Sequence, residues 1–200
     1  MKNILQKRIS LLFLVFSIYF CNLHDLNADS TFRTETIEFE NQFSINIDIP
    51  DNWQIRRERG TPISGAVRTY DLIIIPPSNE KGFLRITVGL NGTRRPLPLQ
   101  QFERLVESRV SMLLPFAVEE KAIYHNIQIN NGTGKYCILT DASLVNKTPD
   151  PDDYIYLGIY FANYNNGSII YSTLLADEIN NLIFQNMLRI VSSIIPLTGS

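Results

Sequence analysis

Histidine and cysteine are scarce in this chain, with two of each in 200 residues. His24 and Cys21 fall in the amino-terminal stretch, which leaves His125 and Cys137 for the remainder. A structural zinc site takes several such ligands, so no metal site is expected, and no cofactor either. One histidine gives little room for a Ser-His-Asp arrangement, and the chain has no Gly-x-Ser-x-Gly elbow. Acidic residues are plentiful, but no spacing singles out a carboxylate pair. No catalytic residue is therefore nominated, and an enzyme is not expected. Cys137 is the one cysteine beyond Ala28, which excludes an intramolecular disulfide there. It sits in an apolar run and reads as a small buried side chain rather than a nucleophile.

A basic excess is missing as well. The formal net charge is −2, and removing residues 1–28 takes away Lys2, Lys7, Arg8 and Asp25, which leaves −4. Nucleic acid is not an expected partner, since general binding needs a basic footprint. Repeats, low-complexity tracts and second-domain linkers are also lacking.

The third absence is a long hydrophobic run. Lys2, Lys7 and Arg8 precede an apolar stretch from Ile9 to Cys21 that carries Ser10 and Ser17. Crossing a bilayer takes roughly 20 residues, so this stretch matches the apolar region of a signal peptide instead. With Ala28 as the small residue before the cut, residues 1–28 are expected to be removed. The mature chain is expected to be extracytoplasmic, periplasmic or secreted, with no integral span. Cys21 opens a second fate, a lipoprotein anchored through that cysteine. A lipobox resembles Leu-small-small-Cys, and the bulky Tyr19-Phe20 pair before Cys21 fits it poorly.

What is present is enough apolar material for a core, 44% of the residues. Residues 29–36 are polar and are expected to be a leader, and residues 37–196 a single domain. Ile37 and Phe39 begin an edge strand. Phe43, Ile45, Ile47 and Ile49 alternate with Ser44, Asn46 and Asp48, the pattern of a strand with one wet face. Pro50-Asp51-Asn52 turns the chain, and Trp53 folds back as a core lid. Arg56 to Arg68, broken by Gly60, Pro62 and Gly65, reads as a loop. Tyr70 to Ile75 and Phe83 to Leu90 read as partner strands separated by Pro76-Pro77. Leu99 to Leu114 reads as a helix with Phe102, Leu105, Val106, Val110 and Leu113 on its apolar stripe. Ile123 to Ile129 and Lys135 to Thr140 form a hairpin about Asn130 to Gly134.

The closing stretch is the most regular. Tyr154 to Ala162 is aromatic and β-branched and lacks clean polar alternation, so protein covers both its faces. Asn165-Asn166-Gly167 supplies a hairpin turn, and Ser168 to Leu175 returns. Asp177 is the expected helix cap or first-turn acid. Ile179, Leu182, Ile183, Met187, Ile190 and Ile194 recur at helical spacing until Pro196 stops the helix. The expected class is α+β, with a mostly antiparallel sheet of six to seven strands flanked by helices on opposite sides.

Three pieces in this order resemble the PsbP/Mog1/DcrB-like superfamily. They are Phe43-Ser-Ile-Asn-Ile-Asp-Ile-Pro-Asp-Asn-Trp53, Asn131-Gly-Thr-Gly-Lys-Tyr136, and Tyr171 followed by a helix closing on Ile190-Val-Ser-Ser-Ile194. The resemblance spans roughly residues 37 to 195. It implies an α/β/α sandwich in an exported bacterial member, with a binding or accessory role rather than catalysis. Members bind different partners, so it transfers no functional residue by position.

The remaining candidates are polar. Asp150, Asp152 and Asp153 with Asp141 lack the EF-hand spacing and read as a solvated acidic loop. Gly132-Thr-Gly134-Lys135 lacks the first glycine of a phosphate loop and has Tyr136 where Ser or Thr is required, so it reads as a turn. Sequons at Asn91, Asn131, Asn146 and Asn166 matter only in a cell that glycosylates. Arg57, Arg94 and Arg95 lie in two polar stretches of an otherwise acidic domain and are the nominated contacts for an anionic group. The expected function is recognition of a protein or cell-envelope component. The alternative is a small-molecule or lipid-binding module with a pocket between sheet and helix. A filled core with an exposed patch would favour the first, and a large apolar cavity the second.

Overall fold

The computed structural model describes residues 31–39, 43–59, 66–78, 80–91 and 95–198. The expected signal peptide, Cys21, Gly60 to Gly65 and Arg94 lie outside them. From Phe32 onward the chain forms one compact unit. Its class is α+β, with ten strands and two α-helices among the described residues.

The strands form two antiparallel sheets rather than one. The small sheet has the order β1-β2-β10, from Phe32–Phe39 (β1), Phe43–Pro50 (β2) and Ile195–Thr198 (β10). The large sheet has the order β3-β4-β5-β9-β8-β7-β6. Its strands are Gln54–Arg59 (β3), Ala66–Ile75 (β4), Phe83–Asn91 (β5), His125–Ile127 (β6), Gly132–Thr140 (β7), Tyr156–Tyr164 (β8) and Ser168–Ala176 (β9). The helices are Leu99–Ser111 (α1) and Leu182–Ser193 (α2).

Several strands depart from the sequence expectation: β4 starts early, at Ala66 inside the supposed loop, β6 is only His125–Ile127, and β1, β3 and β10 depart for plain physical reasons. β1 begins at Phe32, ahead of Ile37, because the polar side chains of the supposed leader pair across the ladder. Thr34 Oγ1 donates to Asp48 Oδ1 at 2.6 Å, and Thr36 Oγ1 to Asn46 Oδ1 at 2.9 Å. β3 occupies the start of the supposed Arg56–Arg68 loop. It is an edge strand, and charge along an edge discourages pairing with another chain, which is why it looks like a loop. β10 contains Pro196: the helix stops ahead of this proline as expected, at Ser193, but the proline then sits in a strand. Pro196 lies opposite Ile45 on an edge strand, where a missing N–H is tolerated.

Asn163 pairs with Ile169, so β8 and β9 are joined through the expected Asn165, Asn166 and Gly167. Gly167 N donates to Tyr164 O, and Gly167 has φ 86°, a left-handed value that glycine adopts without Cβ strain. Between β6 and β7 the connection runs from Gln128 to Asn131, and Gly132 already belongs to the strand. The Gly132–Lys135 stretch is therefore ladder, and Lys135 Nζ pairs with Glu103 of α1 at 2.8 Å.

Helix α2 starts later than Asp177. Asn181 is its cap, with Oδ1 accepting from Phe184 N at 2.9 Å. Asp177 is instead held by Lys81, Oδ2 to Nζ at 2.9 Å. Leu182, placed on the apolar stripe by its spacing, is 37% exposed. Phe184 is buried in its stead, with Ile183, Met187, Ile190 and Val191.

The core divides along the two faces of β8, since successive strand residues point opposite ways. Tyr160, Ala162 and Tyr164 join a cluster containing Phe184, Met187 and Ile190 of α2, Trp53, and Ile45, Ile47 and Ile49 of β2. Ile159 and Phe161 join a second cluster with Phe102, Val106 and Val110 of α1 and with Cys137 and Leu139. Tyr164 Oη donates to Ile194 O at 2.8 Å and so satisfies a carbonyl at the end of α2. Burial is tight where α2 meets the sheet: a Cβ on Gly158 would lie 3.1 Å from the Phe184 ring and from Leu174 Cβ.

Candidate binding groove at the end of the first helix

Pro115 breaks the chain away from α1, and a single 3-10 turn follows, Leu114–Phe116. The segment then runs back along the sheet. Ala117 bridges Asp141, and Val118 N donates to Thr140 O at 2.9 Å. Glu119 closes the attachment, its carboxylate accepting from Thr140 N and Thr140 Oγ1, both at 2.8 Å. The end of α1 is thereby pinned beside the last residues of β7.

Between this segment and the sheet lies an open groove of about 140 Å³. Its floor is set by strand register: Leu139 of β7 lies opposite Leu157 of β8, which lies opposite Leu175 of β9. Leu113, Phe116 and Ala117 form one wall, and Tyr154 the other, with Thr140 and Asp141 completing the lining. Phe116 is 72% exposed, so one large apolar ring of the lining stands in solvent, and its sequence neighbours Met112 and Val118 are exposed as well. Scattered exposed apolar residues are ordinary, and an apolar ring exposed on a concave apolar surface is less so.

The rim is acidic. Asp141 caps the short turn Ala142–Leu144 by accepting from Ser143 N at 2.7 Å. Lys81 Nζ lies 5.3 Å from the centre of the Tyr154 ring, pairs with Asp177 and donates to Asp150 O at 3.0 Å. Burial pushes the Tyr154 phenol pKa up; Lys81 opposes this, and Asp152 and Asp177 add to it. The acidic loop of the sequence thus borders the groove, although among the described residues no three His, Cys, Asp or Glu side chains are placed to hold a metal ion.

No protein-family model matches the chain, and no curated protein matches it either.

Arg57 and Arg95 are placed apart from the groove lining. Arg57 is exposed on β3 and donates to Glu38 O of β1 at 3.2 Å. Arg95 is exposed in the connection from β5 to α1, and Arg94 lies outside the described residues. Arg57 stands opposite Leu72, whose side chain joins the cluster of α2 and the small sheet. The segment after Arg95 is fixed on the α1 side by Asn163, which accepts from Leu97 N at 3.0 Å and donates to Leu97 O at 2.8 Å. The two polar stretches therefore meet different faces of the large sheet.

Cys137 is fully buried in β7, and burial pushes its thiol pKa up to about 12, with Glu119 adding to the effect. His125 is exposed and stacks on Tyr136, ring centres 5.1 Å apart. The sequence reading missed the groove because its lining comes from four separated stretches. The one local signal was an aromatic, Phe116, directly after a proline that ends a helix.

Among the described residues no helix is long and apolar enough to cross a membrane.

Proposed function

We propose that this chain is an exported, non-catalytic binding or accessory domain that recognises a protein or cell-envelope component. The carrying observation is Phe116, exposed to solvent on the lining of an apolar groove, set against a closely packed core under α2. The buried, poorly ionisable Cys137 supports a non-catalytic role, since a thiol reacts as its thiolate. The division of the core between α1 on one side of β8 and α2 on the other supports a PsbP/Mog1-like sandwich. The charged start and short apolar run of the sequence support export, and the amino terminus of the native protein is expected near Asp29. A lipid on Cys21, found by mass spectrometry, would replace secretion by anchoring.

The alternative, a small-molecule or lipid-binding module, draws on the same groove, which lies between the sheet and the segment that follows α1. Its volume of about 140 Å³ is below the ~300–1,000 Å³ of pockets that enclose drug-sized ligands. Recognition of an anion through Arg57, Arg94 and Arg95 would be a separate site, tested by alanine replacement at two ionic strengths. The test of the main reading is capture from native envelope extract on the immobilised chain. Saturable retention of a discrete component is expected, and retention no different from that of an unrelated acidic domain would refute it.

A further inference from the structure

The groove has a size, a shape and a charge that together describe its occupant. A protein cavity of ~150 Å³ lined by Leu, Ile and Phe holds one benzene molecule. At about 140 Å³, this groove matches one large apolar side chain, such as leucine or phenylalanine, entering from the open side. The floor is the leucine row of three adjacent strands, which offers contact but no polar group. The charged groups lie in the lining or next to a lining residue, and they are mainly carboxylates. Asp141 is in the wall, Glu119 is fixed to Thr140, and Asp152 and Asp177 both act on Tyr154. Lys81 enters the same rim but is already paired with Asp177.

We propose that this groove docks a cationic peptide segment, one large apolar side chain of the segment filling the groove while flanking lysines or arginines meet the acidic mouth. The proposal rests on the reading of the chain as a protein-binding domain and names the chemistry of the partner. Charge complementarity selects a basic segment over an acidic one and disfavours an anionic bilayer, which the same carboxylates repel. Phe116 closes over the inserted side chain, and its exposure in the free chain is the apolar surface that docking removes from water.

The test uses the full chain and a short fluorescein-labelled peptide in which lysines alternate with leucines around one phenylalanine. Its control has glutamate in place of every lysine. Fluorescence anisotropy should show saturable binding of the lysine peptide and at least tenfold weaker binding of the glutamate peptide. Phe116→Ser should weaken the lysine peptide roughly tenfold or more, the loss typical of a central aromatic contact. Asp141→Asn keeps an oxygen for Ser143 N and should weaken binding about two- to fivefold, the size of one exposed ion pair. Raising salt from ~0.15 M to ~0.5 M should shrink the difference between the two peptides. Equal binding of both peptides, or an unchanged affinity in Phe116→Ser, would overturn the proposal. So would sedimentation showing a dimer that Phe116→Ser dissolves, or stronger association with phosphatidylglycerol vesicles than with the lysine peptide. Capture of an envelope component that Phe116→Ser leaves intact would retire the groove and keep the binding-domain reading.

Discussion

Replacing Phe184 by alanine should be far more damaging than replacing Leu182, although spacing alone puts Leu182 on the buried stripe. Phe184 is 1% exposed, and its ring lies against Gly158 on β8. Gly158 has no side chain to fill the space that the ring vacates, so the cavity persists. Buried Phe→Ala changes cost ~3–5 kcal/mol, a transfer part plus a part for the unfilled volume. For a domain of this size each kcal/mol moves the midpoint by ~2–4 °C, so a loss of roughly 6–20 °C is expected for Phe184→Ala. Leu182 is 37% exposed and should cost about 1 kcal/mol or less, a few degrees at most. Thermal melts followed by far-ultraviolet circular dichroism, with a urea series to check that the slope is unchanged, would decide it. The packing of α2 described here is wrong if Phe184→Ala melts within a degree or two of wild type. It is equally wrong if the two substitutions cost the same.

Gly158→Ala should destabilise by ~1–3 kcal/mol, because its new Cβ meets the Phe184 ring at 3.1 Å and must displace it; a urea midpoint equal to wild type would show slack at this contact. Tyr164→Phe leaves Ile194 O without its 2.8 Å donor and should cost about 1–3 kcal/mol, with amide exchange accelerating at the last turn of α2. Cys137 should resist a disulfide reagent at pH 8 until denaturant is added, and its linkage has a definite sign. Its folded pKa of about 12 lies above the unfolded value near 9, so its stabilising contribution is full below about pH 9 and is lost as pH rises toward 12. Cys137→Ala should flatten the fall in stability over that window, and an unchanged slope would contradict the assignment.

Where one physical signal dominated, the fold was legible in the residues. β2 alternates strictly from Phe43 to Ile49, one face going to the core, and it is found where the alternation puts it. α1 shows Phe102, Val106 and Val110 at spacings of four, and all three are buried. Legibility fails where tertiary pairing overrides composition. Gln54–Arg59 is charged from Arg56 onward and pairs because β4 offers an edge, not because its own residues favour a strand. Ile195–Thr198 contains the proline that ends α2, and pairing with β2 makes it a strand. At the start of α2, Asp177 and Asn181 are both good caps by type, and the choice falls to Asn181 because Lys81 holds Asp177. The groove is the extreme case. Leu139, Leu157 and Leu175 each look like ordinary core residues, and only the register of three strands brings them to one floor. Arg57 is the opposite case: it stands out by charge in the sequence, whereas its hydrogen bond to Glu38 O, between sheets, leaves no trace there.

Site-specific photocrosslinking in the native host tests the binding surface most directly. Benzoylphenylalanine would replace Phe116 in one strain and Arg104, an exposed residue of α1 outside the groove lining, in another. A binding surface at the end of α1 predicts one discrete adduct from position 116 and none from position 104. No adduct at 116, or the same adducts from both positions, would contradict it.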